Sequence, residues 1–241
     1  MRNIFIIAKG VIRELLRRKD FYLIFTLLAV IMLYSSAATF GGESGFYRYF
    51  KELGISLAYL FSVIIAVTFA ARQIPQETEE KTIYPILAHP VSRAEFIIGK
   101  FTGAFLISVI SFSLFYVAFI IALAIRKDFT TPWPLFVEGY FLHVMLLAFF
   151  TALTVCLSLF LSASANTGIV LILYFAFNWF GANMPGYIYL PHTELFDIKE
   201  RIVHSWDLVP FWVMSFLAAY AFLYTAFFLA LACLTFRKRD L

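Results

Sequence analysis

The residues that could do chemistry are few. Adjacent glutamates, Glu79 and Glu80, have the makings of an acid and base pair, and His89, His143, His192 and His204 are the imidazoles of the chain. The histidines are spread over both faces and one apolar run, so their spacing gives no metal-ligand cluster. The Gly99-Lys100 pair is followed by Phe101 rather than Ser or Thr, and position 94 is Ala where a phosphate-cradling loop needs Gly. No Gly-x-Ser-x-Gly nucleophile motif occurs. Cys156 and Cys233 fall inside apolar runs, where a thiol acts as a small hydrophobe, so neither a disulfide framework nor a zinc site is expected. What remains is the chemistry of charge placement and contact.

The elements that must carry those residues are membrane elements. Of 241 residues, 62% are hydrophobic and only 14% charged, against nearly one quarter charged in a soluble domain. With about 20 apolar residues needed per crossing, the chain divides into six apolar runs at residues 21–40, 54–74, 96–125, 137–161, 168–181 and 208–236, whose only charges, Arg72, Lys100 and Glu138, lie near run ends. The expected fold is one all-α polytopic membrane domain. The fifth run is the shortest, and Asn178 and Asn183 near its end suggest an early stop or a broken segment.

Orientation follows from the basic residues. With the amino terminus in the cytoplasm, thirteen of the nineteen Lys and Arg face inward: six in residues 1–20, then Arg72, Lys81, Arg93 and Lys100, then Arg237, Lys238 and Arg239. Arg48, Lys51, Arg126, Lys127, Lys199 and Arg201 face outward, so both termini are expected in the cytoplasm. Within residues 1–20, Ile4, Phe5, Ala8, Val11, Ile12, Leu15 and Leu16 recur at helical spacing while Lys9, Arg13 and Arg17 step along another face. That pattern predicts a helix lying in the interface, anchored to anionic headgroups. A cleaved signal peptide ending near Ala38 is disfavoured by so long and amphipathic a basic region. The net charge of +4 is an orientation signal and no argument for nucleic acid.

One cytoplasmic loop has content. Over residues 75–94, Pro75 is suited to the first turn of a short helix whose amino end would hold Glu77, Glu79 and Glu80. Pro85 and Pro90 limit further helix, and Ser92 with Glu95 fits a capping box opening the third span. A capped, charged unit is an expensive way to make a tight turn, which points to a docking surface.

In its order of acidic cluster, Lys-Thr, Ala-His-Pro-Val-Ser-Arg and Gly-Lys-Phe, Glu77 to Phe101 resembles the loop of ABC-2 type transporter permeases, including the branch with the permease of the nitrous oxide reductase maturation system. The amphipathic amino terminus resembles that family's elbow helix. The resemblance implies a type V exporter-like fold, with a coupling helix docking on a separate ATPase subunit that carries ATP and magnesium; no cofactor belongs to this chain. It implies two ATPase copies and a second copy of this chain or of a similar permease. Carried over, Glu77, Thr78, Glu79, Glu80, Lys81 and Thr82 form the coupling surface, and His89, Pro90 and Arg93 belong to the turn that sets its angle. Many relatives have Gly where this chain has Lys81. The resemblance also places the route between the second and fifth spans, where Tyr59, Ser62 and Thr68 would face Tyr174, Asn178 and Trp179. Residues 184–207 would form short external helices capping that route, or a surface for an extracytoplasmic protein.

Two rival readings have specific requirements. A membrane protease would need its motif, and Tyr84 stands where the glutamate-pair proteases of the CAAX type want Arg. A secondary transporter would keep ionisable groups within its spans. Glu138 lies at a membrane edge and His143 is the one deeper candidate, better read as a bundle histidine bonded to a neighbouring carbonyl.

Overall fold

The computed structural model describes residues 10, 26, 42–79, 92–125, 127–128, 130–180 and 190–238. The expected interfacial helix with Lys9, Arg13 and Arg17, the first span, and loop residues Glu80, Lys81, Thr82, His89 and Pro90 lie outside the described residues. Among those described there are helices and no strands. They are α1 (Gly42–Glu79), α2 (Arg93–Ile125), α3 (Trp133–Leu157), α4 (Ala163–Phe180), α5 (Lys199–His204) and α6 (Phe211–Lys238), with a 3-10 turn at Thr193–Phe196. Four of these are long and apolar enough to cross a membrane, namely α1, α2, α3 and α6, and α4 is a shorter apolar helix. The protein is therefore multi-pass.

The helices run antiparallel in succession, and side-chain ties mark the two ends. At one end Lys100 of α2 pairs with Glu77 of α1, and Arg93 reaches the last carbonyls of α6. At the other, Lys51 of α1 pairs with Asp128 just beyond α2. From Lys51 to Glu77 a helix rises roughly 39 Å, so the two pairs bracket a hydrocarbon core of about 30 Å. α1 and α3 are central. α1 packs on α2, α3 and α4, while α3 also contacts α6. α6 is the least enclosed, and Phe211, Trp212, Phe222 and Leu223 are exposed along it, as a lipid-facing helix requires.

Several expected boundaries move. α1 begins at Gly42 rather than Gly54, because Phe50 and Ile55 are already in the core. It also runs through Pro75, so the expected short helix starting there is not formed. Pro75 forfeits one backbone hydrogen bond at a cost of about 3 kcal/mol. Burial of Ala70 and Ile74 beside Phe96 and Phe236 offsets it, as does the grip of Lys100 on Gln73 and Glu77. Glu77 and Glu79 consequently sit at a helix carboxyl end, the unfavourable end of the dipole, and Lys100 neutralises the first. The connection between the expected runs 137–161 and 168–181 is shorter and earlier than their bounds imply. α3 ends at Leu157 and α4 starts at Ala163, with Asn166 Nδ2 donating to Thr154 O at 2.9 Å. α2 begins at Arg93 behind the expected capping box: Ser92 N donates to Glu95 Oε2 (2.9 Å) and Glu95 N to Ser92 Oγ (3.2 Å). The last of the expected apolar runs, 208–236, corresponds to a helix at Phe211–Lys238. Arg48 and Lys51, expected in an external loop, lie on α1.

Candidate functional site

The expected route residues converge on a cleft of about 250 Å³ between α1, α4 and the segment before α5. Ser56, Tyr59 and Leu60 come from α1, Tyr174, Phe175 and Asn178 from α4, Asp197 from the segment before α5, and Lys199 from the first turn of α5. The i, i+3, i+4 spacing on α1 and the i, i+1, i+4 spacing on α4 put each set on one helix face. Thus Tyr59, Tyr174 and Asn178 are brought together as the sequence suggested. Asn178 Nδ2 donates to Tyr174 O at 2.8 Å, one turn back on its own helix. Trp179 follows on α4, its side chain outside the described set. Thr68 is half-buried, more than two turns beyond Tyr59 along α1.

Ser62 turns away from the cleft. Its hydroxyl donates to Tyr59 O (2.8 Å) and meets His143 Nε2 at 2.7 Å, both side chains being buried. A hydroxyl has one hydrogen, so with that hydrogen on Tyr59 O the His143 hydrogen is on Nε2. His143 is a bundle histidine as expected, but its partner is a hydroxyl rather than a carbonyl. The Tyr59 ring stacks on the imidazole with centroids 4.0 Å apart, and Tyr59 Oη donates to Gly139 O at 3.2 Å. A Cβ on Gly139 would stand 2.7 Å from Ile202 Cδ1 and 3.1 Å from Tyr59 Oη. The serine and histidine have the separation of a nucleophile and its base. Yet the serine hydroxyl also bonds a backbone carbonyl, and Phe112 and Tyr59 close over the imidazole. Such a pair orders the core and fixes the floor of the cleft.

The wall of the cleft that holds Asp197 and Lys199 is latched to the bundle. Lys51 Nζ bonds Thr130 Oγ1 (2.7 Å), Thr131 Oγ1 (2.9 Å) and Asp128 Oδ2 (3.0 Å), in a buried cluster. Thr131 Oγ1 is also 3.0 Å from Ile202 O and 3.2 Å from Ser205 Oγ, reaching α5. Burial by itself would raise the Asp128 carboxyl, but hydrogen bonds from Thr130 and the Lys51 charge outweigh it and hold it below the usual carboxylate range. Glu138, in the second turn of α3, accepts from Val209 N at 3.0 Å and fixes the start of α6 to α3.

The second candidate area is the opposite end of the bundle. Glu77 faces inward onto Lys100, and Gln73 Oε1 accepts from the same ammonium at 3.2 Å. Thr78 Oγ1 donates to Ile74 O on its own helix, while Glu79 is exposed. Arg93 donates to Phe236 O and Arg237 O, both at 3.0 Å, and its guanidinium lies over the Phe236 ring, which stacks on Phe96. Of the expected coupling residues described, Glu77 and Arg93 therefore bind helices of this chain, and Glu79 projects outward.

Sequence reading missed Ser56, Asp197 and Lys199 as cleft residues and Lys51 as a buried cation. Ser56 could have been found, being one turn from Tyr59. Asp197 and Lys199 could not, because their approach depends on how the segment between α4 and α6 folds back. Among the described residues no group of three or more His, Cys, Asp or Glu side chains could hold a metal ion.

A family model described as ABC-2 family transporter protein matches residues 5–200. Comparison with curated proteins gives no match.

Proposed function

The chain belongs to the ABC-2 transporter family, and from that premise we propose that it is the permease subunit of an ATP-binding cassette exporter, powered by ATP hydrolysed on a separate subunit. The observation that carries the pathway assignment is the cleft joining Tyr59, Tyr174 and Asn178 under Asp197 and Lys199. A route needs groups that touch cargo from two elements able to separate, and α1 and α4 supply them. The nitrous oxide reductase maturation permeases are the branch its loop resembles.

In this reading residues 1–20 lie in the interface, residues 21–40 add a further span to the helices described, and both termini face the cytoplasm of a prokaryotic cell. Two copies assemble with two ATPase subunits, and ATP with magnesium binds there. This polypeptide itself does not hydrolyse ATP. The ATPase docks on residues 77–93, with Glu79, Glu80, Lys81, Thr82, His89 and Pro90 available to it. Glu77 and Arg93 act one step inward. They join the loop to α2 and α6, so that a push on the loop moves those helices together. An extracytoplasmic protein would meet the segment before α6.

Purification of the full chain from its own membrane in mild detergent tests this reading. An ABC-type ATPase should accompany it in equal copy number, and purification as a lone polypeptide without ATPase would count against it.

A further inference from the structure

The cleft is amphipathic in a graded way, and that grading points to a class of cargo. Its mouth has one carboxylate and one ammonium, Asp197 and Lys199, with Oδ2 and Nζ 3.5 Å apart. Its walls are Tyr59, Leu60, Tyr174 and Phe175, with Ser56 and Asn178 as neutral polar groups. The rim continues onto α4. Ile169, Ile172 and Phe175 recur every three residues, and each is exposed, so an apolar strip runs along the helix from the cleft toward the other end of the bundle.

We propose that the cleft binds a membrane amphiphile with a zwitterionic headgroup, its acyl chain lying along Ile169, Ile172 and Phe175. This inference rests on the permease reading and names the substrate class of the same site. A headgroup with an anion and a cation answers both charges at the mouth. A purely anionic headgroup would meet Asp197, and a neutral one would leave the two charges paired only with each other. The Asp197-Lys199 pair is partly exposed and long, a type worth little by itself, so exchanging it for two contacts with ligand is easy. The carboxylate stays oriented while this happens, because Lys199 N donates to Asp197 Oδ1 at 3.0 Å. The aromatic walls suit an ammonium approaching ring faces.

The test is binding of fluorescent lipids to the purified full chain with whatever ATPase accompanies it. Phosphatidylethanolamine, phosphatidylglycerol and diacylglycerol of one chain length are compared, with glycerophosphoethanolamine as a headgroup lacking chains. Phosphatidylethanolamine should bind about tenfold more tightly than the other two lipids, the size of one charge-assisted contact. The free headgroup should bind more weakly still. Asp197→Asn keeps the oxygen that accepts from Lys199 N, and Lys199→Met keeps the apolar stem, so both variants should fold with nearly unchanged melting temperature. Asp197→Asn should abolish the preference over phosphatidylglycerol, and Lys199→Met should reduce the preference over diacylglycerol. Equal retention of the three lipids, or a preference over phosphatidylglycerol that survives Asp197→Asn, overturns the proposal. If that happens while the chain still purifies with an ABC-type ATPase, the permease reading stands and only the substrate class falls.

Discussion

Tyr59 shows how much a single side chain is asked to do: it forms the cleft floor, stacks on His143 and bonds Gly139 O. Two glycines test that packing differently. A Cβ on Gly54 would stand 2.5 Å from Phe119 Cδ2, and that ring is fully buried and packed against Phe50. At Gly139 the nearest atom is the flexible end of Ile202. Gly54→Ala should therefore cost about 1–3 kcal/mol, while Gly139→Ala costs less and Gly139→Val restores the larger penalty. Thermal unfolding in detergent would order the three. The buried pair gives a second expectation. Ser62→Ala leaves the buried His143 Nε2 without its hydrogen-bond partner, for about 1–3 kcal/mol, and the double change with His143→Phe should recover most of it. Additive losses would show that the two side chains are not coupled. At this scale His143 was legible in the sequence, because a lone titratable group in an apolar run must find a partner. Its partner Ser62, 81 positions away, was not.

At the scale of elements, the ends of the helices are set by ionic ties more than by turn signals. Pro75 reads as a helix start in sequence, and only the packing of Ala70 and Ile74 and the hold of Lys100 on Glu77 explain why α1 continues past it. The capping box before α2 was legible since both its members are local. Lys51 was not, as its burial depends on Asp128, Thr130 and Thr131 folding over it. Lys51→Met should leave Asp128 unpaired and cost about 3–5 kcal/mol, with Lys51→Met/Asp128→Leu much nearer the wild type. The same tie gives a pH dependence. The carboxyl is held below its unfolded value near 3.9, so its contribution is complete above that pH and is lost as pH falls through the lower folded value. The stabilities of wild type and Lys51→Met, followed downward from pH 7, should begin to draw together only as the pH falls below about 3.9. Parallel curves throughout would remove Asp128 from the account.

For the whole molecule, composition already dictated a multi-pass helical bundle, and the alternation of α1, α2, α3, α4 and α6 follows from short connections between apolar runs. Which lateral faces pair was not legible, since runs apolar on every side carry no direction: the cleft exists because α4 lies against α1 rather than α6. The orientation can be checked directly. Cysteine at Glu200, an exposed position on α5, should label from outside the cell and cysteine at Thr82 only from within; reversed labelling would invert both the pathway and the docking surface. The central claim, that this chain converts hydrolysis on another subunit into movement of cargo, is tested most directly by ATP turnover in proteoliposomes. Reconstituted alone, the chain should show none; with its ATPase it should stimulate turnover, and Glu79→Lys/Glu80→Lys should remove that stimulation while the permease remains folded. Turnover by the chain alone, or full stimulation by the charge-reversed variant, would contradict it.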